Sequence, residues 1–319
     1  MGFGRVRPPR ATPVQVRPTG ELVIAATFTF HLPGAPSAPR PSAGRRLAAL
    51  FVTSLAIVAM LGVLPGPAAA VTTSTATTTS ITPSSTASSM AASVLTWLNR
   101  DRVARGLVPL RGWSALTALA TVRAARMAAT GTLSHAAAGG NVGTALTARG
   151  IQWYGFGEII GASSYPWGGQ AANNIYSLWK GSSVHRSIMF SASYNYVGIG
   201  FAYRSATHTT FASVVFTESK DHTAPVARNG ALSRSGTTVA FAWSGYDPRL
   251  QTHTAGLRSF DVQYRVDSGT WRTIRNDTTS RSLTLGSRAH GHWYSFRVQA
   301  ADRRGNLSKW TSATRIWVP

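Results

Sequence analysis

A chain of 319 residues is long enough for two domains with a further segment left over. The absence of Cys removes every thiol nucleophile, thiolate metal site and disulfide. It does not argue against export, because domains of this size fold on hydrophobic burial alone. The balance of 32 Lys+Arg against 10 Asp+Glu gives a net charge of +22, nearly all of the cations being Arg. Such a surface favours anionic partners: a cell-wall polymer, a glycan or lipid headgroups. The Arg residues are scattered and no nucleic-acid motif is present, which points away from DNA and RNA.

Residues 1–42 are rich in Pro, Arg and Ala and show no sustained period. Arg45 and Arg46 then precede an apolar run from Leu47 to Leu64, and Ala68-Ala69-Ala70 follows. A positive start, an apolar stretch and small residues read as a signal peptide cleaved after Ala70, and the protein as secreted. The alternative is an uncleaved anchor, since about 18 apolar residues can just span a bilayer. After cleavage, contact with a membrane would be peripheral at most. Residues 1–70 are thus an N-terminal extension with its signal peptide. Residues 71–90, nearly all Thr, Ser and Ala, read as a flexible linker.

From Met90 the pattern is helical. Val94, Leu95, Leu98 and Val103 share a face that Gly106 ends. Ser114 is placed to cap a second helix carrying Leu116, Leu119, Ala120, Arg123 and Met127 at helical spacing. Asn141–Arg149 reads as a short third helix and Gln170–Lys180 as a fourth, with Ile175, Leu178 and Trp179 inward. Between them, Trp153, Tyr154, Phe156, Tyr165 and Trp167 bracket Glu158 in a Gly-rich loop. These aromatics read as packing residues before a ligand-stacking wall. Tyr196–Tyr203 and Thr210–Thr217 alternate as two antiparallel strands. Beyond Asp221 every signal is strand: "TVAFAWS", "FDVQYRV", "WRTI", "SLTL", "HWYSFRVQA" and "ATRIWV", separated by turn residues. That is the pattern of a β-sandwich, with Trp243 and Tyr294 as core aromatics and His290 and His292 at the surface. The fold class is therefore α+β: helices on a small antiparallel sheet over 91–221, then an all-β sandwich over 222–319.

Within 91–221, "LNRDRVARGLVPL", "LSH" (Leu133–His135), "GEII" (Gly157–Ile160) and "LWKGSSVHRSIMFSASYNYVGIGFA" occur in order. In these motifs the segment resembles the CAP superfamily of cysteine-rich secretory, antigen 5 and pathogenesis-related proteins, in its short bacterial secreted branch. The resemblance implies an α-β-α sandwich with a cleft lined by two His and two acidic residues, three of which have a match here. Carried over, these are His135, Glu158 and His185. The second acid of the eukaryotic branch falls at Ser182. Ile159 stands where the family has Asn, and Ser183-Val184 replace Pro-Gly, which is expected to loosen the turn before His185. The second segment is similar to a fibronectin type III module through "DHTAP", "WSGYD", "FDVQYRVDSGTW" and "YSFRVQAADRRGNLS", a likeness of fold that says little of function.

Two imidazoles and one carboxylate can hold a divalent ion such as zinc, so His135, His185 and Glu158 are the candidate metal ligands. The same three are the candidate catalytic residues, with Glu158 as a base or as the partner that orients an imidazole. No His-Glu-x-x-His motif and no Gly-x-Ser-x-Gly elbow is present. Three readings stay open: a secreted protein whose His/Glu-lined cleft binds a metal ion, lipid or glycan at the cell envelope; a metal-dependent hydrolase of peptide or cell-wall material; and a structural module in which Glu158 ties segments together.

Overall fold

The computed structural model describes Ala25–Thr27 and residues 84–319. The expected signal peptide, its cleavage point after Ala70 and most of the expected linker lie outside the described residues. In chain order the elements begin with β1 (Ala25–Thr27), α1 (Ser85–Val103), β2 (Arg111–Gly112), α2 (Ser114–Thr130) and α3 (Val142–Thr147). Then come β3 (Gly155–Ser163), α4 (Gly169–Gly181), α5 (Ser183–Met189), β4 (Tyr196–Arg204) and β5 (Thr209–Glu218). The second segment holds β6 (Val226–Ser235), β7 (Thr238–Tyr246), β8 (Leu257–Val266), β9 (Arg272–Thr278), β10 (Ser282–Leu285), β11 (His292–Asp302) and β12 (Thr314–Val318).

The first sheet has the order β1-β3-β5-β4-β2, antiparallel except for the pairing of β2 with β4. Its strands β3, β5 and β4 are buried on both faces, and successive side chains go to opposite sides. Ile159, Val214 and Phe216 pack with α1 and α4, where Met90, Val94, Leu98, Ile175 and Trp179 meet them. Their neighbours Ile160, Phe211 and Val215 belong to two clusters on the other face, built with Leu116, Leu119 and Met127 of α2. The sheet is thus a layer between helices, and α2 lies closest to it. A Cβ on Gly198 or Gly200 of β4 would stand 2.1 Å or 2.2 Å from the α2 backbone.

Beyond Asp221 two antiparallel sheets, β10-β7-β6 and β12-β11-β8-β9, share one core of Val239, Phe241, Trp243, Phe260, Val262, Tyr294, Phe296 and Val298. Trp243 and Tyr294 are buried, as expected, and the His290 and His292 side chains are accessible.

Several local expectations are corrected. The helix α1 starts at Ser85, inside the segment read as a linker, because Ser84 accepts the Ala87 N–H and Ala87 and Met90 are buried in the core. Ser114 is the first residue of α2 and Trp113 its cap, with no side-chain cap bond. Glu158 sits on a nine-residue strand, β3, where a Gly-rich loop was expected. A strand covered on both faces loses the alternation that marks a strand in sequence. The short strand β1 adds to the β3 edge from a region read as patternless. The turn before His185 is a helical start, not a loosened turn: Ser182 caps α5 toward the His185 N–H at 3.5 Å.

Candidate functional site

The stripe of α2 that faces the sheet is apolar except at Thr121 and Arg123, and Arg123 is completely buried. An Arg there needs a partner, because charges are almost never buried unless paired. The partner is Glu158, equally buried on β3. Strand alternation sends Glu158 and Ile160 to the α2 face, whereas Ile159 goes to the α1/α4 face. Position 159 is therefore a core position, and the departure from the family's Asn there takes nothing from the Glu158 side of the sheet.

The carboxylate is bound on every side. Arg123 Nε donates to Oε1 at 2.5 Å and Nη2 to Oε2 at 2.6 Å, a bidentate fork. Ser213 Oγ of β5 donates to Oε1 at 2.8 Å, and His135 Nδ1 stands 2.8 Å from Oε2. Four contacts fill about four lone-pair positions, the whole accepting capacity of a carboxylate. Burial alone would raise the Glu158 pKa; the hydrogen bonds from His135 and Arg123, with the charge of the guanidinium, outweigh it and hold it below the usual value. Glu158 is an anion committed to its neighbours. It is a poor proton acceptor and has no free oxygen lone pair for a metal.

His135 lies in the loop after α2, which Ser134 stiffens by accepting the Ala137 N–H at 3.0 Å. Facing a carboxylate that can only accept, Nδ1 is the donor, and in the neutral ring the lone pair is then on Nε2. His135 Nε2 is buried and has no partner, and neither has Nη1 of Arg123. An orphaned imidazole nitrogen whose other nitrogen is fixed by a carboxylate is what a metal-binding histidine requires. His185 is buried on the first turn of α5, and α5 packs against α4 and β3. The structure thus puts His135 against Glu158 and brings the helix of His185 to the strand of Glu158. His135, Glu158 and His185 do not offer three ligand atoms all within 4.8 Å of one another. The residue the sequence reading missed is Arg123. Its signal was a cation in the middle of an apolar helical stripe.

Residues 95–216 match the model of the cysteine-rich secretory protein family, CAP. This stretch is a CAP domain. A search of curated proteins gave no match. Among solved structures, a cysteine-rich secretory protein from Staphylococcus aureus subsp. aureus Mu50 is similar at 20% identity and a TM-score of 0.34. That likeness covers 43% of this chain and 40% of the other. An Fn3-like protein from Clostridium thermocellum is similar at 22% identity and a TM-score of 0.22, over 30% of this chain and 95% of the other. The CAP match contains all three of His135, Glu158 and His185, and Arg123 as well.

Among the bracketing aromatics, Phe156 and Trp153 pack edge to face at 4.7 Å against the cluster of α2, α3 and β5, and Trp167 joins the α1/α4 core. Tyr154 and Tyr165 are exposed. One carboxylate group with metal-like spacing does exist among the described residues: Asp221, Asp247 and Asp302. Oxygens of all three accept hydrogen bonds, from Tyr196, Ala255, Gly256 and Asn306, while Asp247 Oδ1 is buried and accepts none. No helix among the described residues is long and apolar enough to cross a membrane.

Proposed function

We propose that the chain is an exported protein, an α-β-α CAP sandwich followed by a fibronectin type III-like sandwich, that binds a divalent cation such as zinc at the cell envelope. The observation that carries this reading is the pairing of His135 Nδ1 with Glu158, which leaves Nε2 buried and without a partner. His135 and His185 would hold the ion. Glu158 orients the first imidazole and strengthens it as a donor, and Arg123 and Ser213 keep Glu158 ionised. The ion supplies a positive centre able to attract an anionic group of a glycan or lipid. The reading of Glu158 as the base of a hydrolase is disfavoured by the same contacts, since two guanidinium bonds, a hydroxyl and an imidazole already occupy it. Export with cleavage after Ala70 would also remove β1 and leave β3 as the edge of its sheet.

Zinc titration of the full chain by calorimetry tests the proposal. One equivalent should bind, His135→Ala and His185→Ala should each abolish binding, and Glu158→Gln should weaken it by about 10–100-fold, as loss of an outer-shell partner does. Absence of zinc binding by the unaltered chain, or binding unchanged in both His variants, would sink it.

A further inference from the structure

The outer face of the four-stranded sheet in the second segment carries an arrangement that the CAP domain does not use. On β11 the side chains of Tyr294, Phe296 and Val298 point into the core, so Trp293, Ser295 and Arg297 point out. The register places Arg265 of β8 and Arg315 of β12 both opposite Ser295, one on each side. Trp317 of β12 lies opposite Trp293. Two guanidinium groups therefore flank a small buried serine, and two indoles form the adjoining row.

The indoles are accessible, Trp293 at 38% and Trp317 at 40%, with ring centroids 5.5 Å apart. The Arg315 guanidinium stands 4.5 Å from the Trp293 ring and that of Arg265 4.8 Å from Trp271. These contacts hold the cations in place over aromatic faces without neutralising them. Among the described residues neither Arg265 nor Arg315 has a carboxylate partner in an ion pair, and Arg265 Nε is buried with no hydrogen bond. Asp267, the one acid of this recess, is taken up by His292 Nδ1 at 2.7 Å and the Trp293 N–H at 2.8 Å. A cavity of about 480 Å³ opens between Arg265, Trp293, Ser295 and Arg315.

We propose that this face binds an acidic polysaccharide. The apolar side of a sugar ring rests on Trp293 and Trp317, and its acidic group enters the recess between Arg265 and Arg315. The pairing of apolar ring faces with fixed, unneutralised guanidiniums is complementary to a ring that carries both C–H faces and a negative charge. A single-stranded nucleic acid is a poorer match, because successive bases stack in parallel and the two indoles are inclined by 55°. A bilayer is a poorer match still, because one wall of the cationic recess is the floor of the sheet, at Ser295, which is buried.

The test uses the full chain at about 0.15 M ionic strength. Polygalacturonate, neutral dextran, an oligo-dT strand and phosphatidylglycerol vesicles are titrated against Trp fluorescence and by calorimetry. Polygalacturonate should bind and dextran should not. Arg265→Ala/Arg315→Ala together should weaken binding by about tenfold or more, as should Trp317→Ala. Arg234→Ala/Arg304→Ala removes the same charge from other exposed positions and should change affinity less than about threefold. Arg315→Glu, at an exposed position on an edge strand, serves if the double variant melts early. The proposal is overturned if the chain does not bind polygalacturonate, or if both double variants lose affinity equally. It is also overturned if oligo-dT or vesicles bind as tightly and depend on the same residues.

Discussion

At the scale of single residues the CAP domain turns on one buried ion pair. Removing both Arg123 and Glu158 from water costs several kcal/mol each, and the cost is offset by the bidentate pair and the bonds that Ser213, His135 and the Gly140 carbonyl add. Breaking one side leaves the other uncompensated. Arg123→Met should therefore cost about 3–5 kcal/mol in urea unfolding at neutral pH. The double variant Arg123→Met/Glu158→Gln should cost less than the sum of the two single changes, since it strands no charge. The pH dependence has a definite sign. The Glu158 pKa is held below its ordinary 4.5, so its contribution is present above that pH and is lost as pH falls through the lower folded value. Glu158→Gln should flatten the loss of stability below about pH 4.5, measured as urea midpoints across an acid series. At this scale His135 and Glu158 were legible through the family motifs around them. Arg123 was visible as an anomaly, but its partner is 35 residues away and only the fold joins them.

At the scale of elements, legibility followed exposure and length. The helices α1, α2 and α4 are legible because each has a distinct buried side, and β4 and β5 because β-branched and aromatic residues recur along them. The helix α5 has seven residues, too few for a period, and β3, covered on both faces like β4 and β5, also carries three glycines and a Glu that read as loop. The glycines of "YVGIGFA" have a plain physical reason. The α2 backbone rests directly on β4 at Gly198 and Gly200, leaving no room for a Cβ. Gly198→Ala should therefore force the helix outward, at a cost of about 1–3 kcal/mol as for other overpacked cores. Because α2 carries Arg123, the displacement should also reach Glu158 and His135. Thermal unfolding of Gly198→Ala measures the first effect, and its zinc affinity the second. A substitution at Gly106, whose Cβ would meet nothing, is strained by its positive φ alone and should leave zinc affinity unchanged.

At the scale of the whole molecule, the two segments that the sequence divides near residue 221 share packing and hydrogen bonds. The loop between β7 and β8 sends Leu250 into the cluster of α2, α3 and β5, where it is buried to 2%. Gln251 accepts the Val108 N–H at 2.7 Å, and the Thr252 hydroxyl donates to the Ser193 carbonyl at 3.0 Å. His253 meets Glu218 at 2.8 Å. None of this is readable from either segment alone, because a loop sequence carries no period and its partners lie in the other segment. Leu250→Ala should cost about 2–5 kcal/mol and lower the melting of the CAP domain, although the residue belongs to the other segment.

The joint also carries its own electrostatic tension. Burial pushes the Asp247 carboxyl above its ordinary value, the Gly256 N–H pulls it back, and the charges of Asp221 and Asp302 push it up further. For a raised acid the stability is present at low pH and is lost as pH rises through the folded value. At neutral pH Asp247 is therefore a charge the joint tolerates at a cost. Asp247→Asn keeps an oxygen for the Gly256 N–H, now 2.6 Å from the carboxylate, and removes the repulsion. The melting temperature in EDTA, which strips any cation that would screen the three carboxylates, should rise at pH 7 and stay unchanged near pH 3, about where the raised Asp247 carboxyl is protonated. An equal rise at both pH values would show that packing, not charge, sets the effect.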